Sequence, residues 1–334
     1  MDSLFSGWED FKKGKRKKLD VALFEKDFKS NIKLLHRELR SKTYQHSPYV
    51  SFYIKDPKLR SINKATVRDR VLHHAIFVIL YRIFDKLFIF DSYSSRNEKG
   101  THKAVIRFNQ FANKVSKNHT QGCFILKCDI KKFFDSVDQE ILLQLIKKQI
   151  QDENTLWLLS SIIKSFGKGI PLGNVTSQIF ANIYLNELDQ FLKRILKIKY
   201  YIRYCDDFVI LSNNKQYLDQ IIPKIDAFLH DALKLSLHPD KIIIRKYRQG
   251  VDFLGYISFP YHKVLRIKTG KRMFRKIRVK IENFKNHKIS EESFNQTLQS
   301  YFGILKHCSS LKLGKKLVDF LIEKSMLKSA NGEF

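Results

Sequence analysis

The chain has 334 residues, 43% of them hydrophobic, enough for a substantial core and more than one domain. Lys and Arg number 62 against 33 Asp and Glu, and the net charge of +29 calls for a polyanionic partner, either nucleic acid or an anionic membrane surface. No apolar run approaches the roughly 20 residues of a membrane span. Met1-Asp2-Ser3-Leu4-Phe5 lacks the charged-then-apolar order of a secretion signal. Cys123, Cys128, Cys205 and Cys308 have neither disulfide-framework nor zinc spacing, so a reduced, cytoplasmic protein is expected.

Lys12, Lys13, Lys15, Arg16, Lys17 and Lys18 form a basic run, readable as a solvated arm or as a phosphate contact. The pattern predicts a helix over 21–39, with Phe24, Phe28, Ile32 and Leu35 apolar. Residues 49–54 read as a strand, Lys55-Asp56-Pro57 as a turn, and residues 58–62 as the return. Such a basic hairpin suits a triphosphate, with Lys as a point charge and Arg60 as a fork. Residues 66–88 have strong helical periodicity; His73 and His74 fall within it and are assigned no metal. A polar loop over 94–102 precedes a helix over 103–115.

Residues 124–130 form an apolar strand carrying one acid, Asp129, costly to bury unless paired or bound to metal. Ser136-Val137-Asp138-Gln139 looks like a capping box opening a helix to residue 150. The Gly-rich stretch 167–173 leads into a long helix over 175–196; no Gly-Lys-Ser/Thr follows, so it is not a Walker-type loop. Strands over 200–203 and 208–212 flank Tyr204-Cys205-Asp206-Asp207, a tight hairpin with two carboxylates at its tip. Residues 216–235 read as a helix with an irregularity at Pro223, and 242–245 and 251–259 as strands. Residues 263–288 hold eleven Lys or Arg and one acid, Glu282, around an apolar stripe of Phe274, Ile277, Ile281 and Phe284. That face suits a nucleic-acid backbone better than a membrane surface, so no membrane partner is expected. Helices over 291–307 and 315–327 follow.

Two adjacent like charges are stabilised by something positive beside them, and hard oxygen ligands favour Mg²⁺. A plain Asp-Asp turn is the blander reading. Asp129 tips the balance: strand-borne acids meeting in one sheet hold two metal ions for nucleotidyl transfer.

With these motifs in order, the sequence resembles the reverse transcriptases from about residue 49 to residue 260. Tyr204-Cys205-Asp206-Asp207 matches their Tyr-x-Asp-Asp signature, and Asp129 with Phe134 matches the motif of the first catalytic Asp and the steric gate. The resemblance implies an α+β right-hand polymerase: N-terminal arm and fingers over 1–122, palm over 123–261 with a helical insertion near 139–170, and helical thumb over 262–334. It implies catalysis by Asp129, Asp206 and Asp207, and a metal set of Asp129, Ile130, Asp206 and Asp207 for two Mg²⁺ ions, with Mn²⁺ as substitute. Nucleotide contacts would come from Lys55, Arg60, Phe134, Leu172, Gly173, Gln178 and Lys241, and a primer-grip hairpin from Phe253, Leu254, Gly255 and Tyr256. Lys268, Lys271, Arg272, Arg275, Lys276 and Arg278 would grip the duplex.

Most of that family carries Gln-Gly-x-x-x-Ser-Pro before the long helix. This chain has Leu172-Gly173-Asn174-Val175-Thr176-Ser177-Gln178, similar to the reverse transcriptases of diversity-generating retroelements, which misincorporate opposite template adenine. The partners so implied are a template RNA, the RNA/cDNA duplex, dNTPs and a small helical accessory protein oligomer. No nuclease, maturase or integrase extension is expected. A retron or phage-defence reverse transcriptase, or a nucleic-acid-binding scaffold on a polymerase fold, are the competing readings.

Overall fold

The computed structural model describes residues 1–55 and 59–323. The expected turn at Asp56-Pro57 and the end of the last helix, 324–327, lie outside the described residues. In chain order come α1 (Asp2–Lys12), α2 (Leu19–Lys26), α3 (Phe28–Arg40), β1 (Val50–Lys55), β2 (Leu59–Lys64), α4 (Val67–Phe84), α5 (Thr101–Val115), β3 (Phe124–Asp129), α6 (Phe133–Ser136), α7 (Gln139–Lys147), α8 (Glu153–Lys164) and α9 (Val175–Gln190). Then follow β4 (Tyr201–Tyr204), β5 (Asp207–Ser212), α10 (Lys215–Leu233), β6 (Ile243–Lys246), β7 (Val251–Phe253), β8 (Tyr256–Ser258), β9 (Lys263–Leu265), α11 (Ile267–Lys285), α12 (Glu291–Lys306) and α13 (Leu311–Glu323).

The strands make three sheets: the β1–β2 hairpin, a four-stranded sheet ordered β4-β5-β3-β6, and a meander β7-β8-β9. The chain divides into two compact units. One comprises residues 1–100, 127–210 and 218–243; the other comprises 101–126, 211–217 and 244–334.

In the first unit α9 is the central helix. Ile179, Phe180, Ile183, Tyr184, Leu185 and Leu188 are buried, so its apolar residues run almost all the way round. Each such side chain contributes about 1.5–3 kcal/mol when fully buried. α4 packs against it and α1 packs against α4. α4 begins where Thr66 accepts a hydrogen bond from the Asp69 amide, a side-chain N-cap.

In the second unit α11 buries Gly270, Met273, Ile277 and Ile281 and keeps its basic residues outward. Its main helical partner is α12.

Several elements depart from the sequence-based expectation. The helix over 21–39 is two helices, broken at Asp27, and α1 lies ahead of the basic run, where no helix was expected. The cap of α7 is Asp138, not Ser136: its carboxylate accepts from the amides of Glu140 and Ile141 at 3.0 Å. Asp138 wins because it stands two residues nearer the helix, where one carboxylate oxygen reaches both free amides. Residues 191–195 form a π turn rather than the end of α9. Pro223 sits inside a continuous α10. Residues 251–259 are not the one strand that their pattern suggests but the β7–β8 hairpin that the resemblance implied at Phe253–Tyr256, turning at Leu254 and Gly255, both with positive φ. No helix among the described residues is long and apolar enough to cross a membrane, and none of the four cysteines is in a disulfide.

Candidate active site

The site is built on two neighbouring strands of the four-stranded sheet. β3 ends at Asp129, and β4 and β5 pair antiparallel, with Tyr204 opposite Asp207. Cys205 and Asp206 are therefore a two-residue loop. Cys205 has φ +55°, a left-handed conformation that costs a non-glycine residue about 1–2 kcal/mol. The Ile130 amide donates to the Asp206 carbonyl at 3.3 Å, stitching the end of β3 to the turn. The Asp129 carbonyl accepts from the His238 amide at 2.8 Å, which fixes the strand end from its other side.

All three carboxylates are half-buried and feel one another. Burial, then the neighbouring Asp129 charge, raises the Asp206 carboxyl above its usual range. Burial also pushes Asp207 up to about 6; Lys127 pulls against it and the two other aspartates add to it. Two ammonium groups answer this negative charge. Lys127 Nζ lies 3.3 Å from Asp207 Oδ2, and Lys241 Nζ lies 2.7 Å from Asp129 Oδ1. Lys127 and Asp129 are two residues apart on one strand and share a face. That period-two spacing is the signal by which Lys127 could have been picked out; it was not.

Among the described residues no group of three or more His, Cys, Asp and Glu stands arranged to hold a metal ion. The donors fit a hard divalent cation nonetheless: they are carboxylate oxygens, and Asp207 Oδ1 is buried with no hydrogen-bond partner among the described residues. Asp129, Asp206 and Asp207 are the residues that would hold it. Ile130 is buried and could offer only its main chain.

The expected nucleotide contacts fall into linked groups. The Phe134 carbonyl accepts from the Ile170 amide at 2.8 Å, so the candidate gate is tied to the Gly-rich loop. A Cβ on Gly169 would lie 2.2 Å from that carbonyl oxygen, so only glycine fits there. Gln139 secures the same loop, donating to the carbonyls of Phe166 and Gly169 at 2.6 and 2.9 Å.

Further along, the Leu172 carbonyl accepts from the Asn63 amide of β2 at 2.9 Å. Gly173 has φ +123°, and a Cβ there would come 2.8 Å from Ile62 Cγ2. The return strand of the basic hairpin therefore rests on the Leu172 loop. Lys55 and Arg60 stand exposed beyond that contact, opposite Leu59 and Ile54 respectively. Gln178 is exposed on the first turn of α9. Asn174 and Ser177, buried beside it, have side-chain polar atoms without partners among the described residues; sequence reasoning gave them no role.

In the second unit, Phe253 is fully buried against Phe108, with ring centroids 5.6 Å apart. The Tyr256 hydroxyl lies 3.3 Å from His102 Nδ1 and 3.2 Å from the Ile304 carbonyl. Lys268, Lys271, Arg275, Lys276 and Arg278 are exposed on α11 and Arg272 is half-buried. Lys271, Arg275 and Arg278 line a cleft with Phe274, Leu313 and Lys316.

Residues 54–258 match the family described as "Reverse transcriptase (RNA-dependent DNA polymerase)". The chain is 28% identical over 269 residues to Protein YkfC of Escherichia coli strain K12, covering 67% of this chain and 70% of that protein. It is 25% identical over 301 residues to the group II intron-encoded protein LtrA of Lactococcus lactis subsp. cremoris, covering 67% of this chain and 49% of LtrA. The solved structure of apo telomerase from Candida tropicalis superposes with a TM-score of 0.53 at 13% identity, over 69% of this chain and 49% of that one. The chain thus spans only about half of LtrA and of the telomerase chain. The mixed helix and antiparallel-sheet architecture is that of a right-hand polymerase, and the chain belongs to the reverse transcriptase family of RNA-directed DNA polymerases.

Proposed function

We propose that this chain makes cDNA from a template RNA by metal-assisted nucleotidyl transfer and does so with errors concentrated opposite template adenine, for targeted gene diversification. Asp129, Asp206 and Asp207 would hold two divalent ions, Mg²⁺ with Mn²⁺ as substitute. The metal would supply Lewis-acid activation of the primer 3′-hydroxyl and stabilisation of the leaving pyrophosphate. Arg60 forks onto the triphosphate and Lys55 adds a point charge; Lys241, already drawn to Asp129, neutralises phosphate charge nearby. Phe134 crowds the sugar 2′ position and favours dNTPs over rNTPs. Residues 1–122 act as arm and fingers, 123–261 as palm and 262–334 as thumb. The Phe253–Tyr256 hairpin grips the primer, and α11 tracks the duplex backbone.

The observation that carries the error-prone reading is Leu172. Its main chain is held by β2 through Asn63, yet its side chain offers no hydrogen bond to a bound nucleotide. A site with a fixed polar contact discriminates strongly among substrates, and one without it discriminates weakly. An accessory protein oligomer bound through local complementarity or bridging RNA completes the assembly, because net charge alone repels a second basic protein from a +29 chain.

Primer extension with Mg²⁺ on an RNA template of all four bases, followed by cDNA sequencing, tests this. Errors enriched opposite adenine are expected, and Leu172→Gln reduces them. Errors spread evenly over the template, unchanged by Leu172→Gln, support instead a retron or phage-defence enzyme. No cDNA at all leaves only the scaffold reading.

A further inference from the structure

A fully buried guanidinium sits beneath the catalytic turn. Arg203 is the last residue but one before it, in the apolar strand β4, and is 0% exposed. Every one of its five N–H groups has an acceptor. Nε donates to Asp189 Oδ1 at 2.8 Å and one Nη2 hydrogen to Asp189 Oδ2 at 2.6 Å, a two-point fork. The other Nη2 hydrogen goes to Ser92 Oγ at 3.1 Å. Nη1 donates to Asn182 Oδ1 and to the Cys205 carbonyl, each at 3.2 Å. The acceptors are themselves anchored. Tyr201 donates to Asp189 Oδ1 at 2.7 Å, and Asn182 donates to the Ser94 carbonyl at 2.9 Å.

A buried ion pair is by itself weak evidence of any role, because desolvation offsets most of its attraction. The bond to the Cys205 carbonyl is what separates this one from a core ion pair. Cys205 is the left-handed residue of the two-residue loop, at a position where such hairpins usually place glycine. Its carbonyl belongs to the peptide that leads into Asp206. The guanidinium therefore fixes the peptide plane whose orientation decides where the Asp206 side chain emerges. α9 supplies the rigid base, through Asn182 and Asp189, and the 92–94 segment supplies a second support.

We infer that Arg203 is a positioning residue for the catalytic turn: held by Asp189, Asn182 and Ser92, it locks the Cys205 peptide and thereby sets Asp206 against Asp129. This rests on the reading of Asp206 as a catalytic carboxylate. Lysine cannot replace it, since three donors on a flexible stem cannot serve five acceptors in a plane. Glycine at 205 relaxes the requirement, because it adopts the left-handed conformation without strain.

The test begins with the wild-type chain on a primed RNA template; failure to extend overturns the polymerase reading and not the role of Arg203. Against that control, Arg203→Lys lowers kcat about 100-fold while the dNTP KM and primer–template Kd stay within about threefold, as expected for misplacement of a reacting group. Hydrogen exchange without metal quickens in residues 201–212 and not along α9. Adding Cys205→Gly to Arg203→Lys recovers about tenfold in kcat, a return that a purely structural role does not give. Ser92→Ala and Asn182→Ala keep the Asp189 pair and serve if Arg203→Lys does not fold; each lowers kcat about three- to tenfold at unchanged Tm. Wild-type kcat in Arg203→Lys, no recovery with Cys205→Gly, or wild-type kcat in both alanine variants overturns the inference.

Discussion

Two antiparallel hairpins carry Asp206 and Asp207 on the one hand and Lys55 and Arg60 on the other, and they are built in opposite ways. In β4–β5 most strand residues are buried, and the support reaches the half-buried tip, where Arg203 bonds the Cys205 carbonyl. In β1–β2 the whole first strand is exposed, with Tyr53 at 72%, and the support is at the root. There Asp69 accepts from the Ser47 amide before the hairpin and the Thr66 hydroxyl after it, at 3.1 and 2.7 Å, and from Tyr44 at 2.9 Å. A carboxylate that must hold a fixed geometry needs its backbone locked at the point of action. A cation that must meet a substrate arriving from water needs only a fixed base and a free end.

The comparison is broken most sharply at the half-buried tip. Asp206→Asn should cut polymerisation on the order of 10³-fold or more while the Tm stays level or rises, since it removes one of three mutually repelling charges. Primer extension beside a thermal melt reads both, and retained activity removes the catalytic assignment. At the exposed hairpin, Arg60→Ala should raise the dNTP KM about ten- to a hundredfold, the worth of a charge-assisted bond, with no change in Tm. A lowered Tm would mean that the hairpin is not a free end.

Where hairpin and loop meet, Gly173→Ala should cost about 1–3 kcal/mol, from left-handed strain and the approach to Ile62. Denaturant unfolding measures it. Gly173→Ala with Ile62→Ala should regain the clash share of that loss but not the backbone share.

The smallest effect lies at the root of the exposed hairpin and vanishes at neutral pH. His73 on α4 is fully buried, stacks on His46 with centroids 5.2 Å apart, and has no hydrogen-bond partner among the described residues. Burial first, then the His46 charge, lowers its pKa to about 3. The unfolded chain therefore binds the extra proton between about pH 6.5 and 3, and stability falls with falling pH across that window, by at most about 1.4 kcal/mol per unit. His73→Leu should flatten that slope and leave stability near pH 7.5 little changed. An unaltered slope in acid unfolding would place the proton elsewhere.

Much of the site was legible in the linear chain because its signals are local. An acid at the end of an apolar strand, two acids at a hairpin tip and a glycine-rich approach to a long helix each declare themselves within ten residues. Asp129, Asp206 and Asp207 and the basic hairpin could be picked out that way. The breaks at Asp27 and after Gln190 were hidden because tertiary packing overrode a continuing helical pattern.

Composition and motif order by themselves determined the expectation of a polyanionic partner, the candidate carboxylates and the family resemblance, since charge and short spacing need no fold to be read. Only the tertiary structure decided how those carboxylates are held. Lys241 meets Asp129 across 112 residues, and Ser92 meets Arg203 across 111. A buried arginine in an apolar strand looks like an error until its five acceptors are assembled around it, and all five come from residues distant in sequence or from the turn itself. Hydrogen-bond satisfaction in a dry interior is a property of the folded neighbourhood, and no local pattern encodes it.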